Sequence, residues 1–193
     1  MTTAADHPDP PAAPWRCEAR AVIWACRGGR GVSLGGLIAY RGTPVGPYQE
    51  IFAAPIALRA GGPVAQVVLM AVDSAASVAA GRRNWALPKV LARFDRVAGA
   101  ATVRGKGWQV TVTARARRRS LPVRARGRCA QPEPDGRIRD FAMRIRGRAR
   151  LATVEVHHDA PLLEPWLPAG HHLAVAFDGA VDVMPPRDGK RRG

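Results

Sequence analysis

Lysine, cysteine and long apolar runs are scarce in this sequence. Three lysines accompany 27 arginines, and only three cysteines occur, none of them in a CxxC pair. An odd number of cysteines without metal-ligand spacing argues against a disulfide framework and against a zinc site, so we predict reduced thiols in a cytoplasmic protein. No run approaches the roughly 20 apolar residues of a membrane helix, so we expect no membrane partner.

The residues that are abundant favour one globular domain with many turns. The chain has 193 residues, of which 47% are hydrophobic, with 20 glycines and 17 prolines. This composition fits a single core-forming unit with few long helices. We predict a domain over residues 15–186, a flexible tail over 1–14 that lacks the order of a signal peptide, and a basic tail over 187–193.

Apolar stretches separated by Gly and Pro turns predict a mainly β fold. Strands are expected over 16–26 and 32–40, from Tyr48 to Leu58, and from Val64 to Val72, where continuous apolarity indicates burial on both faces. Further strands are expected over 92–97, 101–103, 108–115, 121–126, 137–146, 150–158 and 171–183. This number of short strands predicts a mostly antiparallel, closed or cone-like barrel with a few short helices.

The positive charge is concentrated in one part of the chain. The formal net charge is +15, and 13 arginines lie between Arg115 and Arg150. They alternate with small or apolar residues, which is typical of a strand with one solvated face. Because aromatic residues do not interleave with them, we interpret them as solvent-facing positions. Nonspecific association with nucleic acid is the alternative, and we do not expect nucleic acid as a partner.

Residues 73–94 (DSAASVAAGRRNWALPKVLARF) place an isolated lysine in an apolar segment. Asp73 or Ser74 is predicted to begin a short helix, and Gly81 to end it. Lys89 then lies between a proline and two apolar residues. A desolvated amine can lose its proton and attack a carbonyl, which a guanidinium cannot do. The alternative is a lysine whose stem covers apolar surface while its ammonium reaches water.

Two motifs of this chain resemble a known family. GRRNWALPKVLARF, at residues 81–94, resembles the Gly-Arg-x-x-aromatic-x-x-Pro-Lys segment of the acetoacetate decarboxylase family. VGPYQE, at residues 45–50, resembles the Tyr-x-Glu strand of the same family, and weaker similarity continues into the C-terminal HHLAVAFDGAVDVMPP. The resemblance implies the same barrel and a homo-oligomer.

The resemblance also implies an activity and its residues. Lys89 would form a Schiff base with a 3-oxo acid or a related oxo compound, and Glu50 would be the catalytic carboxylate. Arg82, Tyr48 and Trp85 would bind the substrate. The implied protein is a lyase that needs no metal and no cofactor, and its iminium would support decarboxylation, aldol addition or dehydration.

Glu50 can also be assessed from the residues around it. Strand alternation puts Tyr48 and Glu50 on one face, and a buried carboxylate requires a partner, for which Arg82 and Lys89 are the candidates. The alternative is an exposed acid on an edge strand.

Two departures from the family pattern bear on the substrate. Val90 stands where the family has a second lysine, and residues 35–38 carry no acid where the family has a second carboxylate. We therefore expect an oxo compound other than acetoacetate. A barrel that binds small molecules without catalysis is the alternative function. Adjacent histidines at 157–158 and 171–172 point in opposite directions along a strand, so we predict no metal site.

Overall fold

A computed structural model describes residues 9–28 and 31–188, which form thirteen strands and one α-helix. The helix is α1 (Ala75–Trp85). The strands are β1 (Trp15–Gly28), β2 (Gly31–Gly42), β3 (Tyr48–Arg59), β4 (Gly62–Ala65), β5 (Leu69–Val72), β6 (Lys89–Leu91), β7 (Arg93–Val97), β8 (Ala100–Gly105), β9 (Trp108–Ala116), β10 (Leu121–Pro132), β11 (Ile138–His158), β12 (Gly170–Val183) and β13 (Arg187–Asp188).

Some predicted segments extend beyond this part of the chain. The predicted N-terminal tail includes residues 1–8, the basic C-terminal tail includes 189–193, and the Gly-rich turn between the first two strands includes 29–30. These residues lie outside the described ones. Within residues 9–28 and 31–188, no helix combines the length and the apolar character that crossing a membrane requires.

All thirteen strands join one sheet, in which ten follow the order β10-β4-β3-β2-β1-β12-β11-β9-β8-β7. Off this path, β5 pairs with β3 and β6, and β13 pairs with β11. Strand β10 also pairs with β11, so the hydrogen-bonded pairs from β10 through β4, β3, β2, β1 and β12 to β11 return to their start. The prediction of a mainly β single domain is confirmed, whereas the barrel or cone shape stays a prediction. The described residues hold one helix where a few were expected, because prolines at 161, 165 and 168 restrict residues 159–169 to turns.

Two apolar cores lie on opposite faces of this sheet. In β1, the odd-numbered Trp15 and Cys17 belong to one buried cluster, and the even-numbered Trp24 and Cys26 belong to the other. Odd and even positions of a strand point to opposite faces of the sheet. The first core contains Trp24, Ile51 and the buried valines of β8, β9 and β11. The second core contains Trp15, Met70, Trp85, Leu87, Cys129 and Phe141. The second core surrounds the residues that the sequence singled out.

The strand predicted from Val64 to Val72 is interrupted, so that prediction was wrong. It forms β4 and β5, with residues 66–68 outside either strand. Pro55 of β3 has no N–H to donate, although its carbonyl accepts from Gln66 N at 3.0 Å. The side chain of Gln131 takes over the pairing of Val67, accepting from its N–H at 2.7 Å and donating to its carbonyl at 3.1 Å.

Strand β11 is longer than the sequence indicated. Two strands were predicted over 137–146 and 150–158, but one strand of 21 residues runs from Ile138 to His158. Gly147 pairs with Gly179 of β12, and a Cβ at Gly147 would lie 2.3 Å from the carbonyl oxygen of Asp178. The two glycines therefore let β11 and β12 approach closely, and do not end the strand.

Candidate functional site

Lys89 is the first residue of β6, and its side chain lies on the face of the sheet that carries the second core. Strand β6 runs parallel to β5, with Lys89 opposite Met70, and β5 in turn pairs with β3, with Phe52 opposite Met70. Strand β5 therefore lies between the strand of Lys89 and the strand of Glu50. The side chain is buried, with only 3% of the residue exposed. The structure therefore excludes the alternative in which the ammonium group of Lys89 reaches water.

The ammonium nitrogen of Lys89 has three polar partners. Nζ lies 2.9 Å from Oε2 of Glu50, 2.9 Å from Oγ of Ser77 and 3.4 Å from Oη of Tyr48. Glu50 is 3% exposed and Ser77 is fully buried. Each of the three donors of an ammonium group thus has an acceptor, which offsets the loss of hydration on burial. Lys89, not Arg82, is the buried partner of Glu50.

Helix α1 supplies the floor under this lysine. Ser74 is the N-cap, as predicted, and its side chain accepts from Ser77 N at 3.2 Å. The helix does not end at Gly81, because Ala86 forms the left-handed C-cap, so that prediction was wrong. Gly81 lies inside the helix, where an added Cβ would be 2.6 Å from Cδ and 2.7 Å from Cε of Lys89. The methylene groups of Lys89 occupy the space that a side chain at position 81 would fill.

The second carboxylate oxygen of Glu50 faces a further phenol. Oη of Tyr40 donates to Oε1 of Glu50 over a long 3.5 Å contact, and the Tyr40 and Tyr48 rings are 4.6 Å apart. Burial raises the pKa of both phenols well above the usual range, and the Glu50 carboxylate raises it further because it opposes a second negative charge. Both phenols therefore stay protonated, and Ser77 hydrogen-bonds to Tyr48.

The charges of Glu50 and Lys89 also act on the thiol of Cys17, which belongs to the second core. Burial raises the pKa of Cys17 to about 12, and the carboxylate of Glu50 adds to this effect while Lys89 opposes it. The thiols of Cys26 and Cys129 are also buried and free. Among the described residues, no group of three or more His, Cys, Asp and Glu side chains is arranged to hold a metal ion.

Arg82 and Trp85 lie on α1 at the edges of the site. Arg82 is exposed, and its Nε donates to the backbone carbonyl of Lys89 at 2.9 Å. Trp85 is buried in the second core, where its ring meets the ring of Trp15 edge-on at 5.1 Å, and its Nε1 donates to the carbonyl of Met184 at 2.9 Å. The arginine is thus fixed beside the backbone of the lysine, whereas the indole packs among apolar side chains.

The structure joins the side chains of three of the five predicted site residues by hydrogen bonds, while Arg82 bonds to the backbone of Lys89. Lys89 contacts both Glu50 and Tyr48, and two residues that the sequence did not indicate, Ser77 and Tyr40, complete the hydrogen bonds of the Lys89–Glu50 pair. Helical spacing gave one usable signal, because residues four apart, such as 77 and 81, lie on the same face of a helix. No comparable signal marked Tyr40, which reaches the site from the neighbouring strand.

Comparison with known proteins gives a fold and no family assignment. No protein-family model matches the sequence. No curated protein matches it either. The structure is similar to that of acetoacetate decarboxylase from Legionella pneumophila, with a TM-score of 0.67 and 15% identity over 99% of this chain and 93% of that one. An acetoacetate decarboxylase-like enzyme from Sphingomonas wittichii RW1 has a TM-score of 0.61 and 14% identity over 100% and 98% of the two chains.

A third similar structure is that of the enduracididine biosynthesis enzyme MppR complexed with pyruvate. Its TM-score is 0.61, at 12% identity over 92% of this chain and 91% of that one. At such low identities the likeness shows the fold alone. The three structures are those of enzymes that share the acetoacetate decarboxylase-like fold.

Proposed function

We propose that the protein is a lyase that forms a Schiff base between Lys89 and an oxo acid. The observation that carries this proposal is the buried contact of 2.9 Å between Nζ of Lys89 and Oε2 of Glu50. An amine and a proton acceptor within hydrogen-bond distance are the two groups that activation of a lysine requires. The similar folds of acetoacetate decarboxylase and of a pyruvate-bound enzyme support an oxo acid as the substrate.

The first step that we propose is proton transfer within the pair. When the Nζ proton moves to Oε2 of Glu50, the ammonium and the carboxylate become an amine and a carboxylic acid. The transfer is direct, because the two atoms are 2.9 Å apart and both residues are buried. The nitrogen lone pair is then available for the carbonyl carbon of the substrate.

Attack of the amine on the ketone gives a carbinolamine. Glu50 returns its proton to the hydroxyl group, which leaves as water, and the nitrogen becomes an iminium. For a 3-oxo acid, the bond to the carboxylate then breaks, carbon dioxide leaves and the electron pair forms an enamine. Protonation of the enamine carbon and hydrolysis of the new iminium release the product and restore Lys89. The same iminium also supports aldol addition or dehydration.

The other residues of the site have supporting roles in this proposal. Ser77 and Tyr48 hold Nζ in place and donate their hydroxyl hydrogens to the carbinolamine oxygen. Tyr48 keeps its proton because burial raises its pKa. Arg82, with Nε bound to the Lys89 carbonyl, has its two terminal nitrogens for the substrate carboxylate. Trp85 closes the apolar side of the site. We also expect a barrel-shaped homo-oligomer.

Reductive trapping tests the proposal. Borohydride added with a small 3-oxo acid reduces the iminium to a stable secondary amine, so the intact mass rises and peptide mapping places the adduct on Lys89. Lys106 is exposed and serves as the matched control: Lys106→Arg keeps the adduct, whereas Lys89→Arg abolishes it.

The same experiment separates catalysis from binding. If the oxo acid protects the folded protein against unfolding but leaves no adduct on Lys89, the protein is a binding barrel and the Schiff-base proposal is wrong. Adducts spread equally over all three lysines would contradict it as well.

A further inference from the structure

The arginines of β10 and β11 form a ladder on the face opposite the second core. In the antiparallel register, Arg124 stands opposite Arg146, Arg126 opposite Arg144 and Arg128 opposite Ala142. All five arginines are exposed, while Cys129 and Phe141, on the alternate positions, are buried in the second core. We call Arg124, Arg126, Arg128, Arg144 and Arg146 the arginine ladder. Its solvent-facing placement on strands is what the sequence predicted.

The charges of the ladder are only partly matched. Arg128 pairs with Asp140 at 2.7 Å and Arg146 with Asp182 at 2.8 Å. Within residues 9–28 and 31–188, no acidic side chain pairs with Arg124, Arg126 or Arg144. Like charges directly opposite each other across two strands destabilise the pairing. Arg124 and Arg126 therefore have no acidic partner in the described part of the chain, and Asp182, which stands opposite Arg144 in β12, bonds to Arg146 instead.

The ladder borders two neighbouring concavities, which we together call the depression. One concavity, with a volume of about 270 Å³, lies between the rungs Arg124–Arg146 and Arg126–Arg144. A second, of about 680 Å³, shares Arg126 and Arg144 and extends past Ala142 to a wall formed by residues 184–187. The larger volume is within the range of small-molecule sites. The small side chain of Ala142 leaves the depression open where an arginine would otherwise continue the ladder.

We propose that this depression binds a chain of phosphate groups, as in inorganic polyphosphate or a nucleoside triphosphate. A guanidinium fork matches two phosphate oxygens. Rungs two residues apart on a strand are about 6.8 Å apart, so unmatched arginines on adjacent rungs require a ligand with several negative charges in a row. A single carboxylate neutralises one of them.

The residues that line the depression also indicate which part of a ligand is recognised. Among the residues that the structure describes, Phe141 is the only aromatic one that lines the two concavities, and it is 4% exposed. Without an exposed ring, a base has no stacking partner, so the phosphate chain itself is the recognised group. This site is independent of the Schiff-base proposal, because the ladder and Lys89 lie on opposite faces of the sheet.

Calorimetric titration at fixed ionic strength, without added metal, tests this site. The probes are inorganic tripolyphosphate, ATP, orthophosphate and short duplex DNA. We expect tripolyphosphate and ATP to bind alike, and orthophosphate to bind about tenfold or more weakly. The variant Arg124→Gln/Arg126→Gln/Arg144→Gln should lose about tenfold or more of the tripolyphosphate affinity.

A matched variant removes the same charge elsewhere. Arg27→Gln/Arg93→Gln/Lys106→Gln changes three exposed cations outside the depression, and we expect it to bind tripolyphosphate as the wild type does. Equal losses in both triple variants would mean that net charge alone attracts anions, and the proposal would be overturned. So would duplex DNA that binds more tightly than tripolyphosphate, with a steep salt dependence and a weakening by either variant. Thermal melts establish that each variant is folded.

Discussion

The buried lysine and the arginine ladder place positive charge in opposite circumstances. At the site, one ammonium is buried beside one carboxylate at 2.9 Å, and both residues are 3% exposed. On the ladder, five exposed guanidinium groups share two acidic partners. Burial makes an unmatched charge very costly, whereas water screens the exposed charges. The chain can therefore leave charges unmatched only where solvent reaches them.

Removing the positive charge from the buried pair should have the largest effect. We expect Lys89→Met to lower the free energy of unfolding by about 3–5 kcal/mol, because Glu50 keeps its burial and loses its partner. Urea unfolding at neutral pH measures this loss. The double variant Lys89→Met/Glu50→Gln is the control and should recover part of it. A loss below about 1 kcal/mol in the single variant would show that the pair is not a buried ion pair.

Alkaline pH should lower the free energy of unfolding through the buried thiols of the two cores, whereas the arginines of the ladder keep their charge. The unfolded thiols lose their protons near pH 8.5, while burial holds the pKa of Cys17 and Cys129 at about 12 and that of Cys26 at about 11. Above pH 8.5 the unfolded state thus binds fewer protons, so stability falls as pH rises, by up to about 1.4 kcal/mol per thiol per pH unit. Denaturant unfolding between pH 8 and 11 measures the slope. A Cys17→Ala variant should show a shallower slope, and an unchanged slope would contradict the assignment.

A methyl group at Gly81 tests how closely the lysine stem is held. We expect Gly81→Ala to cost about 1–3 kcal/mol by overpacking, although alanine favours helices by about 1 kcal/mol, and to reduce trapping at Lys89. Ala79→Gly on the exposed side of α1 is the control. It should lose about 1 kcal/mol without changing the trapping. Stabilisation by Gly81→Ala with normal trapping would mean that the stem has room to move.

A charge removed from the ladder should have the smallest effect. Arg126→Gln is expected to leave the free energy of unfolding within a few tenths of a kcal/mol, with a small gain because Arg144 loses a like-charged neighbour. Thermal melts at low and high salt measure it, and the gain should shrink with salt. Destabilisation by more than about 1 kcal/mol would show that Arg126 has a structural partner.

The sequence predicted which side chains lie together better than it predicted the strands around them. Alternation placed Tyr48 and Glu50 on one face, and the resemblance directed attention to Lys89 and Glu50, which are in contact in the structure. Ser77 was missed because a serine in an Ala-rich helix resembles an exposed position until the phase of the helix is known. Tyr40 was missed because its approach depends on the pairing of two strands.

Glycine and glutamine explain the wrong boundaries. We predicted a helix end at Gly81 and a gap between two strands at Gly147, yet each glycine fills a position that a close neighbour leaves too narrow for a side chain. A local pattern cannot distinguish these causes, because the neighbour is distant in sequence. Likewise, Gln131 interrupts a strand 64 residues away by binding the backbone of Val67.

The hydrogen atom at Gly81 has a consequence for comparing proteins of this fold. The distance that the amine reaches is set by a helix backbone eight positions earlier in the chain, and not only by the strand that carries the lysine. In a related sequence, a bulkier residue at that position should push the amine out of reach of the carboxylate. This one position should thus sort distant relatives that retain a reactive amine from those that keep only the lysine.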